Sequence, residues 1–351
     1  MKPNHTYLIR KSIFKLAAIM VFLMLPAAEL LAQAGGFTGS FSRMGFSPRG
    51  MAMGNTMTAV EREGNYGYYN PAHAATFSEH IQVDISSAAL KFDRQLHMLS
   101  AGFQLPPSAG LSISLLNARV SDIDGRTQSG YHTDFLSTSE YQLIGNFAIR
   151  FTDHVKAGIG IKYNLANYHE SVPNSSGIGL DFGVLIKPFN RINIGITVQD
   201  LIAQSDVNTS ELYGTDLSPD GTRDYPVRLI TGISFEKSDD LLFSFDYETR
   251  WQASAQNRMI ETESGVRTER EEVTTSSRFI RFGSSYSIHQ RMTLRGGVQI
   301  FDIGHENQVL PSAGFSLHLP YDRLSPSIDY AFMREPSQIS TMHVFALRLN
   351  I

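Results

Sequence analysis

The sequence predicts an all-β protein, a 14-stranded antiparallel transmembrane β-barrel with a small N-terminal hatch segment in its lumen. Three observations carry this prediction. Apolar and polar residues alternate with period two in 14 stretches between Ile81 and Ile351. The connections are short after even-numbered strands and mostly long after odd-numbered ones, which is typical of outer-membrane barrels. A Gly- and Met-rich stretch without that alternation precedes the first strand.

The beginning of the chain has the layout of a secretory signal peptide. Basic residues precede an apolar core over residues 16–25, and Ala32 and Ala34 each offer a cleavage site. A core of about ten residues is too short for a membrane-spanning helix, which needs about 20. The chain has no Cys, so neither a lipid-bearing Cys nor a disulfide is expected. We predict a signal peptide over 1–34, a hatch over 35–79 and a barrel over 80–351.

Composition narrows the class of protein further. The net charge of −4 gives no reason to expect a nucleic-acid partner. No apolar run beyond the signal reaches 18 residues, so any membrane crossing falls to strands, which need about 9–11 residues each. We therefore expect the outer membrane of a Gram-negative-type bacterium, with its lipid as the surroundings of the barrel.

The hatch has local structural signals of its own. Pro is favoured at the first position of a helix and Asn can cap the free amides there, so residues 70–75 predict a short capped helical turn. Glycines in this segment predict close backbone packing. Arg43, Arg49 and Glu61 are expected to find charged partners on the barrel wall. An ordinary surface loop ahead of a β domain is the alternative interpretation. The residues that form the structural hatch motif are Arg49, Gly50, Gly54, Asn70, Pro71 and Ala72.

The strands alternate to the last residue of the chain. They centre on residues 81–86, 99–105, 111–115, 141–151, 155–165, 178–187, 192–199, 228–235, 241–248, 280–286, 292–300, 314–319, 328–332 and 345–351. Charged residues of both signs lie within them on the polar side. A β-sandwich would leave that side in solvent, whereas a barrel turns it into a polar lumen that can hold a hatch. The predicted lumen-facing residues are Lys156, Lys162, Asp181, Arg228, Asp246, Arg281, Arg295, Asp329 and Arg348.

The loop lengths predict the orientation of the barrel. The predicted long loops, expected at the cell surface, cover residues 117–139, 166–176, 199–225, 249–277 and 302–309. The short turns, expected in the periplasm with both termini, lie near residues 106–108, 152–154, 188–191, 237–240, 288–291 and 320–325. A soluble sandwich has no reason to follow this parity.

Short sequence blocks of the hatch carry a family resemblance. Residues 45–55 read GFSPRGMAMGN, followed by Ala-Val-Glu at 59–61 and by Tyr-Asn-Pro-Ala at 69–72. In order and spacing they resemble the opening signature of the PorV/PorQ family, which is related to FadL-type outer-membrane proteins. Pro48 departs from the usual Ala, and Arg62-Glu63 departs from an acidic pair. The resemblance implies a 14-stranded barrel with the hatch in its lumen, and a role with type IX secretion machinery or in surface attachment of exported proteins.

No motif in the chain indicates chemistry. There is no paired-His or Cys metal motif, and residues 122–125 match only half of a calcium loop. We predict no enzyme activity, no catalytic residue, no metal and no cofactor. A lipid-side Ser–His enzyme site near His343 is a distant alternative.

Two non-catalytic functions remain. The main prediction is a PorV/PorQ-type barrel with exported proteins or secretion-machinery components as partners. Its long loops are polar and lack the apolar surface of a lipid pocket. The alternative is a FadL-like transporter of hydrophobic small molecules.

Overall fold

The computed structural model describes residues 39–64, 67–76, 81–170, 172–207, 221–262, 265–301, 303, 308–319, 325–335 and 340–350. The predicted signal peptide lies outside these residues. Within them, helices are short, and none has the length and apolar character required to cross a membrane.

The hatch contains three short helices. They are a 3₁₀ turn at Ser40–Arg43, the helix α1 at Pro48–Ala52 and a second 3₁₀ turn at Pro71–Ala75. The second turn begins as its sequence predicts. The Asn70 side chain accepts a hydrogen bond of 3.0 Å from the backbone N–H of Ala72, and Pro71 occupies the first helical position.

The rest of the described chain is almost entirely sheet. The strands are β1 (Ile81–Ala89), β2 (Arg94–Leu105), β3 (Ala109–Arg126), β4 (His132–Thr152), β5 (Val155–Asn167), β6 (Ser175–Phe189), β7 (Ile192–Leu201), β8 (Gln204–Val207), β9 (Gly221–Asp224), β10 (Val227–Glu236), β11 (Leu241–Thr262), β12 (Gly265–His289), β13 (Met292–Phe301), β14 (Gln308–His318), β15 (Ser327–Arg334) and β16 (Thr341–Asn350). All except β8 and β9 form one closed antiparallel barrel, in which β1 pairs with β16. The predicted 14-stranded barrel is confirmed.

Alternation sets the two faces of the barrel wall. Side chains such as Ile85, Leu99 and Ile113 point outward and are each 50% exposed, forming the apolar band expected against lipid. Their neighbours Asp84 and Ser112 point inward and are buried. Since only the lumen lies on that side, the inward residues are covered by the hatch and by one another.

Two regions predicted as long loops are instead long hairpins. β3 and β4 remain paired as far as Arg126 and His132, and β11 and β12 as far as Thr262 and Gly265. The prediction of loops over 117–139 and 249–277 was wrong for a physical reason. A ribbon that rises beyond the membrane is solvated on both faces, so its sequence loses the apolar–polar alternation even though its backbone stays paired.

The two ends of the barrel differ. We call the end with these hairpins the long-hairpin rim, and the opposite end the short-turn rim. The predicted long connection over 199–225 also lies at the long-hairpin rim and contains the small sheet of β8 and β9. Its residues 208–220 lie outside the described chain.

Candidate functional site

The hatch contacts strands on nearly all sides of the barrel. The helix α1 packs on β13, β14, β15 and β16, while the second 3₁₀ turn packs on β2 through β6. Between them, the Thr58 carbonyl approaches β7 and the Thr58 side chain approaches β10. A segment with neighbours in so many directions of a closed barrel occupies its lumen.

Inward-facing glycines bring the wall close to the hatch backbone. A Cβ on Gly297 would lie 2.2 Å from the carbonyl carbon of Met53, and a Cβ on Gly195 would lie 2.1 Å from the carbonyl oxygen of Thr58. Real Cβ atoms do not approach other atoms so closely. These strand glycines therefore make room for hatch backbone.

The glycines of the hatch motif also lie in tight places. A Cβ on Gly50 would meet the Tyr69 ring, with its hydroxyl at 2.2 Å. Gly54 has a φ of 65°, and a Cβ there would lie 3.0 Å from the carbonyl oxygen of Val298. Asn70 donates from Nδ2 to the carbonyl oxygens of Thr58, at 3.0 Å, and Val184, at 3.3 Å. It thus ties the hatch to itself and to the wall.

Ion pairs join charged residues of the hatch to the wall, as predicted for Arg49 and Glu61. Arg49 Nε lies 3.0 Å from Asp329 Oδ2, and both side chains are buried. Lys156 Nζ lies 2.7 Å from Glu61 Oε1. Removing one member of a buried pair leaves an uncompensated charge and costs about 3–5 kcal/mol.

Glu63 of the hatch has several bonds to the barrel wall and to the hatch itself. Its carboxylate accepts from Arg295 Nε at 2.8 Å and from the Ser285 hydroxyl. Its backbone carbonyl accepts from Arg348 Nη1 at 2.7 Å and from Arg49 Nη1 at 3.1 Å. Burial alone would raise the pKa of Glu63, but the charges of Arg295 and Arg49 outweigh burial and lower the pKa to about 2.

The other predicted lumen residues pair with the hatch or within the wall. Asp246 Oδ2 accepts from the Thr58 hydroxyl at 2.7 Å and from the Thr58 backbone N–H at 3.2 Å. Ion pairs within the wall link Lys162 with Asp181 at 2.8 Å and with Asp200 at 2.7 Å, Arg228 with Asp200 at 3.0 Å, Arg281 with Glu248, and Arg348 with Asp84. All nine predicted residues thus contact a charged or hydrogen-bonding group.

One buried histidine sits in the second 3₁₀ turn. His73 is fully buried, and its Nε2 lies 2.9 Å from the Met57 carbonyl oxygen. Burial lowers the pKa of His73 to about 4, although the hydrogen bond to Met57 opposes the shift. The neutral ring is therefore the form that fits the hatch.

One sector of the lumen is apolar. The inner side of β15, β16, β1, β2, β3 and β4 carries a continuous set of buried apolar side chains, which we call the apolar wall. Phe41, Phe46 and Met51 of the hatch pack against it. The wall consists of Ala88, Leu96, Met98, Leu116, Ile144, Ala331, Met333, Met342 and Val344.

The outer side of the same strands mixes polar and apolar side chains at this level. Leu115 and Leu143, the neighbours of Leu116 and Ile144, point outward and are 41% and 45% exposed. Ser87 and His97 point outward, where Ser87 Oγ lies 3.0 Å from His97 Nδ1. His343 also points outward, and its Nδ1 lies 2.8 Å from the Tyr330 hydroxyl. Barrel lumens are usually polar, whereas the inner face of these strands is apolar toward the long-hairpin rim. This face marks an apolar compartment inside the barrel.

Sequence reasoning missed the apolar wall and the central place of Glu63. Paired apolar residues in strands, Leu115-Leu116 and Leu143-Ile144, are the signal for the wall, because both faces of a strand are then apolar. Glu63 was noted only as part of a departure from a family pattern. It is in fact the carboxylate that holds Arg295.

Comparisons with solved structures give relatives in fold. The toluene transporter TodX of Pseudomonas putida has a TM-score of 0.60 at 11% identity, covering 87% of this chain and 97% of that one. A FadL homologue of Pseudomonas aeruginosa gives the same TM-score, identity and coverage. The monoaromatic hydrocarbon channel CymD has a TM-score of 0.57 at 14% identity, covering 90% and 97%.

At these identities the likeness shows the fold, which is that of FadL-type outer-membrane barrels. No protein-family model matches the chain, and no curated protein matches it. The finer assignment to PorV/PorQ therefore rests on the hatch motif alone.

Proposed function

We propose that this protein carries hydrophobic small molecules across the outer membrane, with the apolar wall as their binding surface. The observation that carries the proposal is the apolar inner face of β15, β16 and β1 to β4. This face is apolar, whereas the lumen elsewhere is filled by ion pairs. The names of the fold relatives, which include a toluene transporter, point the same way.

The composition of the wall suits a broad range of ligands. Met98, Met333 and Met342 lie in it, and Met51 of the hatch faces them. Unbranched thioether side chains repack readily around ligands of different shapes and contact aromatic rings favourably. A ligand would displace the hatch side chains that cover the wall in this structure, and the methionines would close around it.

The hatch acts in this proposal as a plug anchored by charge. Glu61, Glu63 and Arg49 hold it to the wall on one side, while Phe41 and Phe46 cover the apolar wall on the other. This division allows the apolar part to move while the charged part stays bound. Association with type IX secretion stays a prediction from the hatch motif, and nothing in the comparisons supports it.

Binding of a fluorescent apolar probe tests the proposal. We expect purified protein to bind N-phenyl-1-naphthylamine, whose emission rises in apolar surroundings, and M98N/M342N to bind it at least tenfold more weakly. The matched control is M292N, a methionine at the start of β13 by the short-turn rim and outside the wall. Equal binding by all three proteins would contradict the proposal.

A further inference from the structure

A buried polar group closes the apolar wall at its end toward the long-hairpin rim. Arg94 precedes the wall residue Leu96 by two positions on β2, so both face the lumen. Glu335 follows Met333 by two positions, and Ser340 precedes Met342 by two. We call Arg94, Glu335 and Ser340 the rim latch.

The rim latch is tightly bonded. Both Arg94 terminal nitrogens donate to the Glu335 carboxylate, with Nη2 at 2.9 Å from Oε2. Ser340 donates from Oγ to the same oxygen at 2.8 Å. The Glu335 backbone N–H donates to the Ser340 carbonyl at 3.0 Å. A bidentate guanidinium–carboxylate pair fixes both direction and distance.

The latch crosses two strands to make this contact. The strand order in this part of the barrel is β2, β1, β16, β15. Arg94 on β2 therefore reaches over the ends of β1 and β16 to the residue that follows β15. Ala88 on β1 and Met342 on β16 are the wall residues of those two strands nearest the rim. The latch thus lies at the end of the wall toward the long-hairpin rim.

The two charged partners differ in burial. The Glu335 side chain is 1% exposed, whereas that of Arg94 is 25% exposed. Arg94 also has a second neighbour on the solvent side, because its guanidinium carbon lies 6.0 Å from the centre of the exposed Phe92 ring. Arg94 is thus the partner that can leave, and it can keep its contact with Phe92 and its hydrogen bond from Nε to the Lys91 carbonyl oxygen, 2.9 Å long, when it does.

We propose that separation of Arg94 from Glu335 is the step that admits apolar molecules to the apolar wall, an inference that rests on the proposed function. In the closed form the pair presents charge at the entrance. In the open form Arg94 keeps its contact with Phe92 and uncovers the end of the apolar wall. The latch then sets how fast a ligand enters, while the wall sets how tightly it is held.

Stopped-flow binding of N-phenyl-1-naphthylamine to the full protein in detergent tests this separation of roles. We expect E335Q, which keeps the shape but loses the charge, to raise the entry rate about tenfold, a change of about 1.4 kcal/mol in the barrier. The emission at saturation should stay the same, because the wall is untouched. R126A is the control, since it removes an exposed ion pair with Asp124 at the tip of the β3–β4 hairpin.

A crosslink tests the same step without relying on a lost interaction. The chain has no Cys, so R94C/E335C carries the only two thiols. Joining them with a short bis-maleimide that contains a disulfide should slow probe entry, and reduction of that disulfide should restore it. R94C treated in the same way should show no change.

The outcomes separate the inference from the proposed function. Unchanged entry rates in both E335Q and the crosslinked protein, with probe binding intact, would overturn the latch and leave the wall as the binding surface. Absence of probe binding in the unmodified protein would overturn the proposed function and the latch together.

Discussion

At the scale of single residues, the hatch is held by groups whose charge state is set by burial. Glu63 is kept ionised by Arg295, and His73 is kept neutral because its surroundings exclude water. The two act in different pH ranges. The stabilisation from Glu63 is complete above its ordinary pKa of about 4.5 and is lost as the pH falls toward 2.

A prediction for His73 applies at a higher pH than the effect of Glu63. Its folded pKa of about 4 lies below the ordinary 6.5, so unfolding of the hatch takes up a proton between these values. Stability is therefore complete above pH 6.5 and falls by up to about 3 kcal/mol as the pH drops to 4. We expect hydrogen exchange of residues 67–76, after correction for the intrinsic exchange rate at each pH, to accelerate over this range in the native protein.

H73Q provides the comparison for that measurement. Glutamine can still donate to the Met57 carbonyl but does not titrate. The acceleration between pH 6.5 and 4 should disappear in H73Q, whereas a hatch that loosens equally in both proteins would show that another group is responsible.

At the scale of elements, the barrel wall and the hatch fit through backbone contact. Gly297 and Gly296 are neighbours on β13, but Gly297 faces the Met53 backbone while a Cβ on Gly296 meets nothing within 4 Å. G297A should therefore displace the hatch locally, with the barrel still folded because its strand pairing is unchanged. We expect a higher single-channel conductance in planar bilayers.

G296A is the matched control for this substitution. It adds the same methyl group to the same strand on the lipid-facing side and should conduct like the unmodified protein. Conductance raised equally by both substitutions would point to the sheet itself, and an unchanged G297A channel would show that another part of the chain closes the lumen.

The elements also show how far the sequence predicts this structure. Period-two alternation located all 14 barrel strands because each separates lipid from a polar interior. It failed over 117–139 and 249–277, where solvated hairpins have no such difference between their faces. It failed again at the apolar wall, since Leu116 and Ile144 read as parts of apolar runs until the register shows that they face inward.

The candidate site was predicted in part for the same reason. Mid-strand charges such as Lys156 and Arg295 stand out on the polar side of their strands. Glu61 was expected to have a charged partner on the wall, but the pairing itself was not predicted, because Glu61 and Glu63 lie in a segment without periodic structure and are matched to the wall only by the fold. Long-range pairing of this kind has no local signal.

At the scale of the whole molecule, the barrel combines two interiors. The first is a charged lumen that fixes the hatch by ion pairs, and the second is an apolar wall capped by the rim latch. Neither is required by barrel closure, which comes from backbone pairing alone. The ion pairs explain why the hatch stays in the lumen and blocks it. The apolar wall indicates that the molecules proposed to cross the barrel are hydrophobic.

Uptake of a radiolabelled apolar compound such as toluene by intact cells tests the central claim most directly. Cells that carry the protein should accumulate the compound faster than cells without it, and M98N/M342N should abolish the difference while M292N preserves it. Heat-modifiable migration on SDS gels would verify that each variant is folded. Equal uptake by cells with and without the protein, accompanied by loss of particular exported proteins from the surface when it is deleted, would contradict the claim and favour a role in secretion.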